Sequence, residues 1–443
     1  MRAIDHTHSR DLQSWVTSAN NSDTDFPIQN LPFCRFHTSD NDGLRLGVGI
    51  GDQILDLQAV KNHFDEPLQS AVASSTLVDV MSLSVEQRLA LRHRISELLS
   101  EGCQQIQGQA DALVAQDDAT FVLPCQVRDY TDFYSSVFHA TNVGSMFRPN
   151  NPLLPNYKHI PIGYHGRASS LVISGTEIKR PSGQLAPAEE GGVPQRQPCK
   201  LLDYELEVGF FVGPGNELGD AIAIEQAEDH IFGLCLVNDW SARDIQKWEY
   251  QPLGPFLAKS FATTLSPWVV TMEALAPFRC PVFQRPSDDP KPQPYLHLDA
   301  NEQHGGIDVR LEVSLTTQKM RQENLEPHVL SRGNFRDMYW TLAQMVTHHS
   351  SNGCNLQAGD VMASGTVSNR EKTSRGCLLE LTWDGDLDNA VPGSQRTAIP
   401  LASGEERKFL ADGDEVILAG YCEHPDFRRI GFGQCRGTVL PAT

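Results

Sequence analysis

Three acids alternate along LLDYELEVGFF (Leu201–Phe211): Asp203, Glu205 and Glu207. In an extended chain successive side chains point to opposite faces, so these three share one side, and Leu202, Tyr204, Leu206, Val208 and Phe210 share the other. Taken alone, the pattern describes a strand with a buried apolar face and a solvated acidic face, which is common in antiparallel sheets. Acids at i, i+2 and i+4 nevertheless repel along their face, and a divalent cation would turn that repulsion into ligation. A site built from carboxylates, without Cys or His, selects a hard cation such as Mg²⁺ or Ca²⁺. No D-x-D-x-D-G loop is present, which excludes an EF-hand.

Further candidates sit where strands give way to loops and helices. DYTDFYSSVFHATNVG (Asp129–Gly144) holds Asp132, Tyr134 and His139. IFGLCLVND (Ile231–Asp239) reads as a strand that runs through WSARDIQKWEY into a helix, and there Asp239 or Ser241 reads first as the helix cap. Arg243 and Gln246 are three apart and project from one face of that helix. Lys259 follows in QPLGPFLAKSF. Such residues are ordinary surface groups unless something gathers them, and proximity to Asp239 in sequence is the hint that something does. There are fifteen histidines, so rarity singles out none. The adjacent His348 and His349 read as structural or solvated. VGPGNELG (Val212–Gly219) lacks the G-x-G-x-x-G spacing of a dinucleotide loop and is expected to make a hairpin turn. There is no phosphate-binding P-loop and no G-x-S-x-G elbow.

The elements that must position these groups fall into two parts. A chain of 443 residues exceeds one average domain of ~150 residues. Residues 1–24 are polar and aperiodic, and are expected to form a tail. Residues 25–124 read as a small β-rich module. It contains FPIQNLPF, a hairpin about Gly51-Asp52, and one helix announced by the capping-box spacing of Ser84 and Gln87 and by Leu91, Ile95, Leu98 and Leu99. Periodicity weakens near residues 115–128, and residues 125–443 follow as a larger domain of short strands. Pro- and Gly-marked loops are expected at 184–198, 286–294 and 391–406. Strands rarely alternate with long amphipathic helices, so the expectation is a mainly β, mostly antiparallel architecture with some α rather than a doubly wound sheet.

A net charge of −20 argues against nucleic-acid and anionic-membrane partners. It also requires that an anionic substrate meet a local positive site. No run of about 18 apolar residues exists to span a membrane. The first residues lack the apolar core of a secretory signal, and the ten cysteines form no C-x-x-C pair, so a cytoplasmic chain with reduced, mostly buried thiols is expected.

Taken together, DYTDFYSSVFHATNVGSMF, GYHGRASS (163–170), LLDYELEVGFFVGPGN, HIFGLCLVNDWSARDIQKWEYQPLGPFLAKSF, MASGTVS (362–368) and GCLLELTW (376–383) resemble the fumarylacetoacetate hydrolase family. FPIQNLPF and GDQILDL extend the resemblance toward the N-terminus, so that it covers roughly residues 25–441. The resemblance implies an N-terminal SH3-like barrel (25–124), a mixed β-roll catalytic domain (125–443) and a homodimer. It implies Ca²⁺ and/or Mg²⁺ held by Asp132, Glu205, Glu207 and Asp239, with Lys259 and Thr263 also counted among the metal-site residues. This reverses the solvated-face reading of the acidic strand and the cap reading of Asp239. His139 becomes a general base oriented by Glu380. Arg243, Gln246 and Lys259 stabilise a leaving carbanion, and Tyr134, Arg148, Tyr164, Tyr250 and Thr366 join Arg243 and Gln246 in binding substrate. The implied reaction is hydrolysis of the carbon–carbon bond of 4-fumarylacetoacetate to fumarate and acetoacetate, the last step of tyrosine and phenylalanine degradation. Acylpyruvate hydrolases and decarboxylases of the same superfamily are the nearest alternative, but they usually lack the N-terminal module. A metal-stabilised scaffold without turnover is the other alternative, and the presence of both His139 and Glu380 disfavours it.

Overall fold

The computed structural model describes residues 2–187, 189 and 191–443. Near the N-terminus, a five-stranded antiparallel sheet has the order Leu113–Ala115, Gln53–Asp56, Asn41–Ile50, Phe33–Thr38 and Ala119–Val122. Its two edge strands are consecutive in the chain, joined through residues 116–118, so the sheet curls to bring its edges together. The hairpin turns where expected, at Gly51 with φ of +58°, a conformation that suits glycine. The expected helix spans Val85–Leu99. Ser84 Oγ accepts from Gln87 N–H and Gln87 Oε1 accepts from Ser84 N–H, the two halves of a capping box. Leu91, Ile95, Leu98 and Leu99 form its buried stripe.

Residues 2–24 differ from the expected tail, while Met1 lies outside the described residues. The segment is held by hydrogen bonds rather than by an apolar stripe, and therefore leaves no periodicity to read. Ser14 Oγ and Trp15 Nε1 donate to Leu99 O (2.7 Å) and Leu98 O (2.9 Å), satisfying carbonyls that the end of a helix leaves without partners. His8 Nε2 meets Glu273 O at 2.9 Å, and Arg2 Nε donates to Glu273 Oε1 at 3.0 Å, which fastens the segment to the larger domain. Arg92, buried on the Val85–Leu99 helix, gathers three chain segments by donating to Thr7 Oγ1, Asn30 O and Gln29 O.

The larger domain is built on two sheets. One runs Gly163–Gly166, Tyr130–Phe133, Val361–Ala363, Leu206–Val212, Ile231–Asp239, Thr263–Leu265 and Leu171–Ile173, with Val270–Thr271 also on the Ile231–Asp239 strand. The other runs His328–Asn334, Arg310–Thr316, Glu415–His424, Phe427–Leu440 and Glu177–Lys179. Most pairings are antiparallel; Tyr130–Phe133 with Val361–Ala363 is one of the parallel ones. Leu202, Tyr204, Leu206, Val208 and Phe210 enter the core between these layers with Leu234, Leu236, Val313 and Leu418. Alternation along this segment holds, but the acidic face is not solvated: Asp203, Glu205 and Glu207 are all buried. The strand also breaks at Tyr204-Glu205, its first part pairing with Ser241–Ala242 and its second with Ile231–Asp239.

Three local expectations are corrected. Asp239 and Ser241 cap nothing: the helix Arg243–Glu249 starts from Ala242 without a side-chain cap, because Asp239 ends a strand and turns inward. The glycines after Val212 open a long connection over residues 213–230 rather than a tight turn, since Gly213 N–H donates to His230 O only where the chain returns. The expected 184–198 loop contains the strand Gln195–Pro198, paired with Ser182–Leu185; Ala188 and Glu190 lie outside the described residues. Among the described residues no helix is long and apolar enough to cross a membrane.

Arg92→Leu should strand the carbonyls of Gln29 and Asn30 and the Thr7 hydroxyl in a dry setting. Unsatisfied buried groups cost about 1–3 kcal/mol each, so denaturant unfolding should show a loss of about 2 kcal/mol or more, with residues 2–24 cleaved faster by protease. Unchanged stability would mean that Arg92 holds nothing together.

Candidate active site

Sheet order brings the acids together. Asp132 lies beside Ala363 on adjacent strands, Gly209 beside Ala363 on the next pair, and Glu207 faces Val237 across the following one, two residues before Asp239. Asp132, Glu207 and Asp239 each bring one carboxylate oxygen within 4.8 Å of the other two, and all three are buried. Asp132 Oδ1 accepts from Gly365 N–H at 3.1 Å. Asp239 accepts from Thr263 Oγ1 (2.6 Å), Tyr164 OH (3.1 Å) and Lys259 Nζ (2.5 Å). Neither carboxylate oxygen of Glu207 has a hydrogen-bond partner among the described residues. Burial, then the neighbouring acids, push Asp132 and Glu207 well above the usual carboxylate range. Two like charges at 4 Å repel by about 4 kcal/mol even at an effective dielectric of ~20. Oxygen-only donors and a buried carboxylate with both oxygens free of partners fit a hard divalent cation.

Glu205 lies at the edge of this cluster and is paired with cations. Lys259 Nζ bonds to Glu205 Oε2, and Arg243 Nη1 lies 2.6 Å from Glu205 Oε1. Burial would raise Glu205, but Arg243, Lys259 and His139 outweigh it and hold the carboxyl at about 2. Burial would likewise discharge Lys259, yet Asp239 and Glu205 keep it an ammonium, which has no lone pair to offer a metal. Lys259 and Thr263 therefore reach the acid cluster as donors to Asp239. Arg243 also contacts Gln246 Oε1 at 3.3 Å, as their shared helix face predicts, while its buried Nη2 lies 3.0 Å from Asp203 Oδ2.

His139 is the third residue of the helix Val137–Phe147, where Ser136 Oγ caps its backbone N–H at 3.1 Å. Its Nδ1 lies 2.5 Å from Glu380 Oε2. The same carboxylate accepts from Ser368 Oγ (2.8 Å), Cys377 Sγ (3.1 Å) and, on Oε1, Asn142 Nδ2 (2.8 Å). Burial raises Glu380, but the His139 charge and these donors win and lower it to about 2. A carboxylate on Nδ1 fixes the tautomer that presents Nε2 as the proton acceptor. Tyr134 stacks edge-on against His139, with centroids 5.2 Å apart. Its phenol is raised by burial, then by Glu380 and Glu205, against the pull of Arg243 and Arg148.

Buried Thr366 follows Gly365, and its Oγ1 has no partner among the described residues. Arg148 ends the His139 helix and donates to Pro152 O at 3.1 Å. Tyr250 caps the Arg243–Glu249 helix, with its N–H on Gln246 O at 3.0 Å. His349 donates to or accepts from Thr131 Oγ1 at 2.8 Å, consistent with a structural role. Asn142, Ser368 and Cys377 carry no signal in the sequence that would mark them for this site. In sequence Asp203 reads only as part of the acidic face; its carboxylate receives Arg243 and the backbone N–H groups of Tyr204, Leu378 and Leu379.

Glu380 ionises more readily in the folded chain than at the ordinary glutamate value of 4.5. Its ionisation therefore favours folding above pH 4.5, and that contribution is lost as pH falls toward about 2. Glu380→Gln should flatten the fall in unfolding free energy across this acid window, measured by denaturant titration at stepped pH. An unaltered slope would show that Glu380 is not held ionised by its neighbours.

Two family profiles match consecutive stretches: "Fumarylacetoacetase N-terminal" at residues 29–124 and "Fumarylacetoacetate (FAA) hydrolase C-terminal" at residues 129–440. The fumarylacetoacetase of Bos taurus is 51% identical over 429 residues, spanning 95% of this chain and 97% of that protein. That of Caenorhabditis elegans is 51% identical over 441 residues, 97% of this chain and 100% of its own. The Homo sapiens enzyme is 49% identical over 429 residues, 95% of this chain and 97% of its own. With both halves matched in order and the likeness running almost end to end, the chain belongs to the fumarylacetoacetate hydrolase family.

Proposed function

We propose that the protein hydrolyses 4-fumarylacetoacetate to fumarate and acetoacetate, the closing step of tyrosine and phenylalanine breakdown. The observation that carries this reading is a carboxylate-oriented histidine beside a buried acid cluster whose rim carries an ammonium and a guanidinium. Relatives named fumarylacetoacetase at about half identity supply the substrate.

Asp132, Glu207 and Asp239, with Glu205 at their edge, would hold Ca²⁺ or Mg²⁺. When bound, the ion supplies Lewis-acid polarisation of a carbonyl and offsets the charge of the acids. His139 Nε2 takes a proton from water, and the resulting hydroxide adds to the carbonyl next to the fumaryl group. Glu380 stabilises the imidazolium so formed. Collapse of the tetrahedral adduct breaks the carbon–carbon bond; the electron pair leaves as an enolate delocalised into the second carbonyl, and protonation at carbon completes acetoacetate. A bare carbanion is a poor leaving group, so cations set at the developing negative charge matter most: Lys259 Nζ and the Arg243 guanidinium, with Gln246 steadying Arg243. Tyr134, Arg148, Tyr164, Tyr250 and Thr366 are the proposed substrate contacts. Arginine at the rim gives the substrate carboxylates a positive target on a chain of net charge −20.

The proposal divides the chain at residues 25–124 and 125–443, which the profile bounds support, and leaves every proposed site residue in the second part. It also includes a homodimer, supported by the exposed Trp248, Leu253, Phe256 and Leu257, and a cytoplasmic setting, supported by ten cysteines that are all free.

Turnover can be followed by the ultraviolet absorbance of the conjugated dione. The protein should bleach it and release fumarate and acetoacetate. His139→Ala and Glu380→Gln should each lose nearly all activity, and the double variant should be scarcely worse than His139→Ala, since groups acting as a unit are not additive. Losses that multiply would break the dyad, and preference for an acylpyruvate would replace the substrate. Lys259→Met should lower kcat by ~10² or more with a smaller effect on KM, the scale for removing one oxyanion donor. A raised KM at unchanged kcat would reduce Lys259 to a binding role.

A further inference from the structure

Asp203 is fully buried and belongs neither to the acid cluster nor to the His139–Glu380 pair. Its Oδ2 accepts from Arg243 Nε at 3.0 Å and from Leu379 N–H at 2.9 Å. Its Oδ1 accepts from Leu378 N–H at 2.8 Å. Leu378 and Leu379 open the four-residue helix Leu378–Leu381 that carries Glu380. One turn of helix has no stability of its own, because nucleation costs more than its few bonds return. Its direction must come from groups that take up its loose ends. Asp203 takes up the first two N–H groups, while Arg375 Nη1 donates to Glu380 O at 2.8 Å and Arg396 Nη1 to Leu379 O at 2.5 Å. Of these three clamps, Asp203 is the one that also grips a residue of the proposed leaving-group site.

We infer that Asp203 is a positioning residue that couples the two halves of the site, setting the Arg243 guanidinium and the Glu380 helix against one another through a single carboxylate. Arg243 spans Asp203 and Glu205, its Nη2 lying 3.0 Å from Asp203 Oδ2 and its Nη1 2.6 Å from Glu205 Oε1, so its placement is fixed from two sides. A rigid carboxylate with charge-assisted bonds to both partners suits this task better than a neutral amide, because such bonds are about twice as strong as neutral ones. The amide of Asp203→Asn would also turn a donor toward either the guanidinium or the helix N–H groups. Small displacements of catalytic groups are costly, since a shift of about 1 Å can cost ~10² in rate.

This inference rests on the roles proposed for Arg243 and Glu380, and its test has one arm that needs no substrate. Asp203→Asn should keep its fold and bind one divalent ion per chain, with kcat on 4-fumarylacetoacetate lowered ~10-fold or more and KM changed less than about threefold. In the Arg243→Ala and Glu380→Gln backgrounds the same substitution should cost markedly less, showing that it acts through both. In the arm without substrate, amide hydrogen exchange at Leu378 and Leu379 should speed up in Arg243→Ala, because the released Asp203 no longer holds the helix start. This arm reads the coupling even where Asp203→Asn fails to fold or the substrate assignment fails. Unchanged exchange at both amides, a kcat within twofold of the parent, or full additivity in either background would overturn the inference.

Discussion

Asp132, Glu207 and Asp239 face one another in a place where water cannot screen them, and the consequences reach through the larger domain. Three bare carboxylates at this spacing would drive the sheet apart or take up protons, which is the direction in which Asp132 and Glu207 are pushed. The fold offers two answers. Lys259 bridges Asp239 and Glu205 and cancels one charge. The oxygen atoms of Glu207, left without partners, supply the place where a divalent cation would cancel two more.

From that requirement the rest of the site follows in layers. Glu205 cannot join three further acids without help, and turns toward Lys259 and Arg243. Arg243 is in turn secured by Asp203, and Asp203 reaches the short helix from which Glu380 grips His139. Cations and acids thus alternate outward from the cluster, each buried charge paired on the side away from the next. Unpaired buried charge is what proteins avoid most strictly, so the order of these layers is a solvation requirement as much as a catalytic one.

Much of this was legible in the chain. The alternation of Asp203, Glu205 and Glu207 places three acids on one face, and the capping box at Ser84 marks where its helix begins. Other features were readable only through family resemblance. Glu380 lies 241 residues from His139, and no local pattern can announce a contact closed by tertiary structure. An acid before a helix is commonly its cap, so Asp239 reads as one in sequence; the sheet pairing that turns it inward is non-local. The N-terminal segment looked like a tail because Arg2, His8, Ser14 and Trp15 hold it by hydrogen bonds to distant backbone, which have no period. Burial of both faces of the acidic strand was hidden for a related reason, since polarity in sequence does not say whether a polar face meets water or ions.

The central claim is that the carboxylate cluster is built for a divalent cation, and it is tested most directly by calorimetric titration of Ca²⁺ or Mg²⁺ into chelator-stripped protein, with elemental analysis of the product. One ion per chain should bind, hydrolysis should return with it, and Glu207→Gln should abolish the binding while leaving the chain folded. Full activity in protein shown to be metal-free, or binding that Glu207→Gln leaves untouched, would contradict the account.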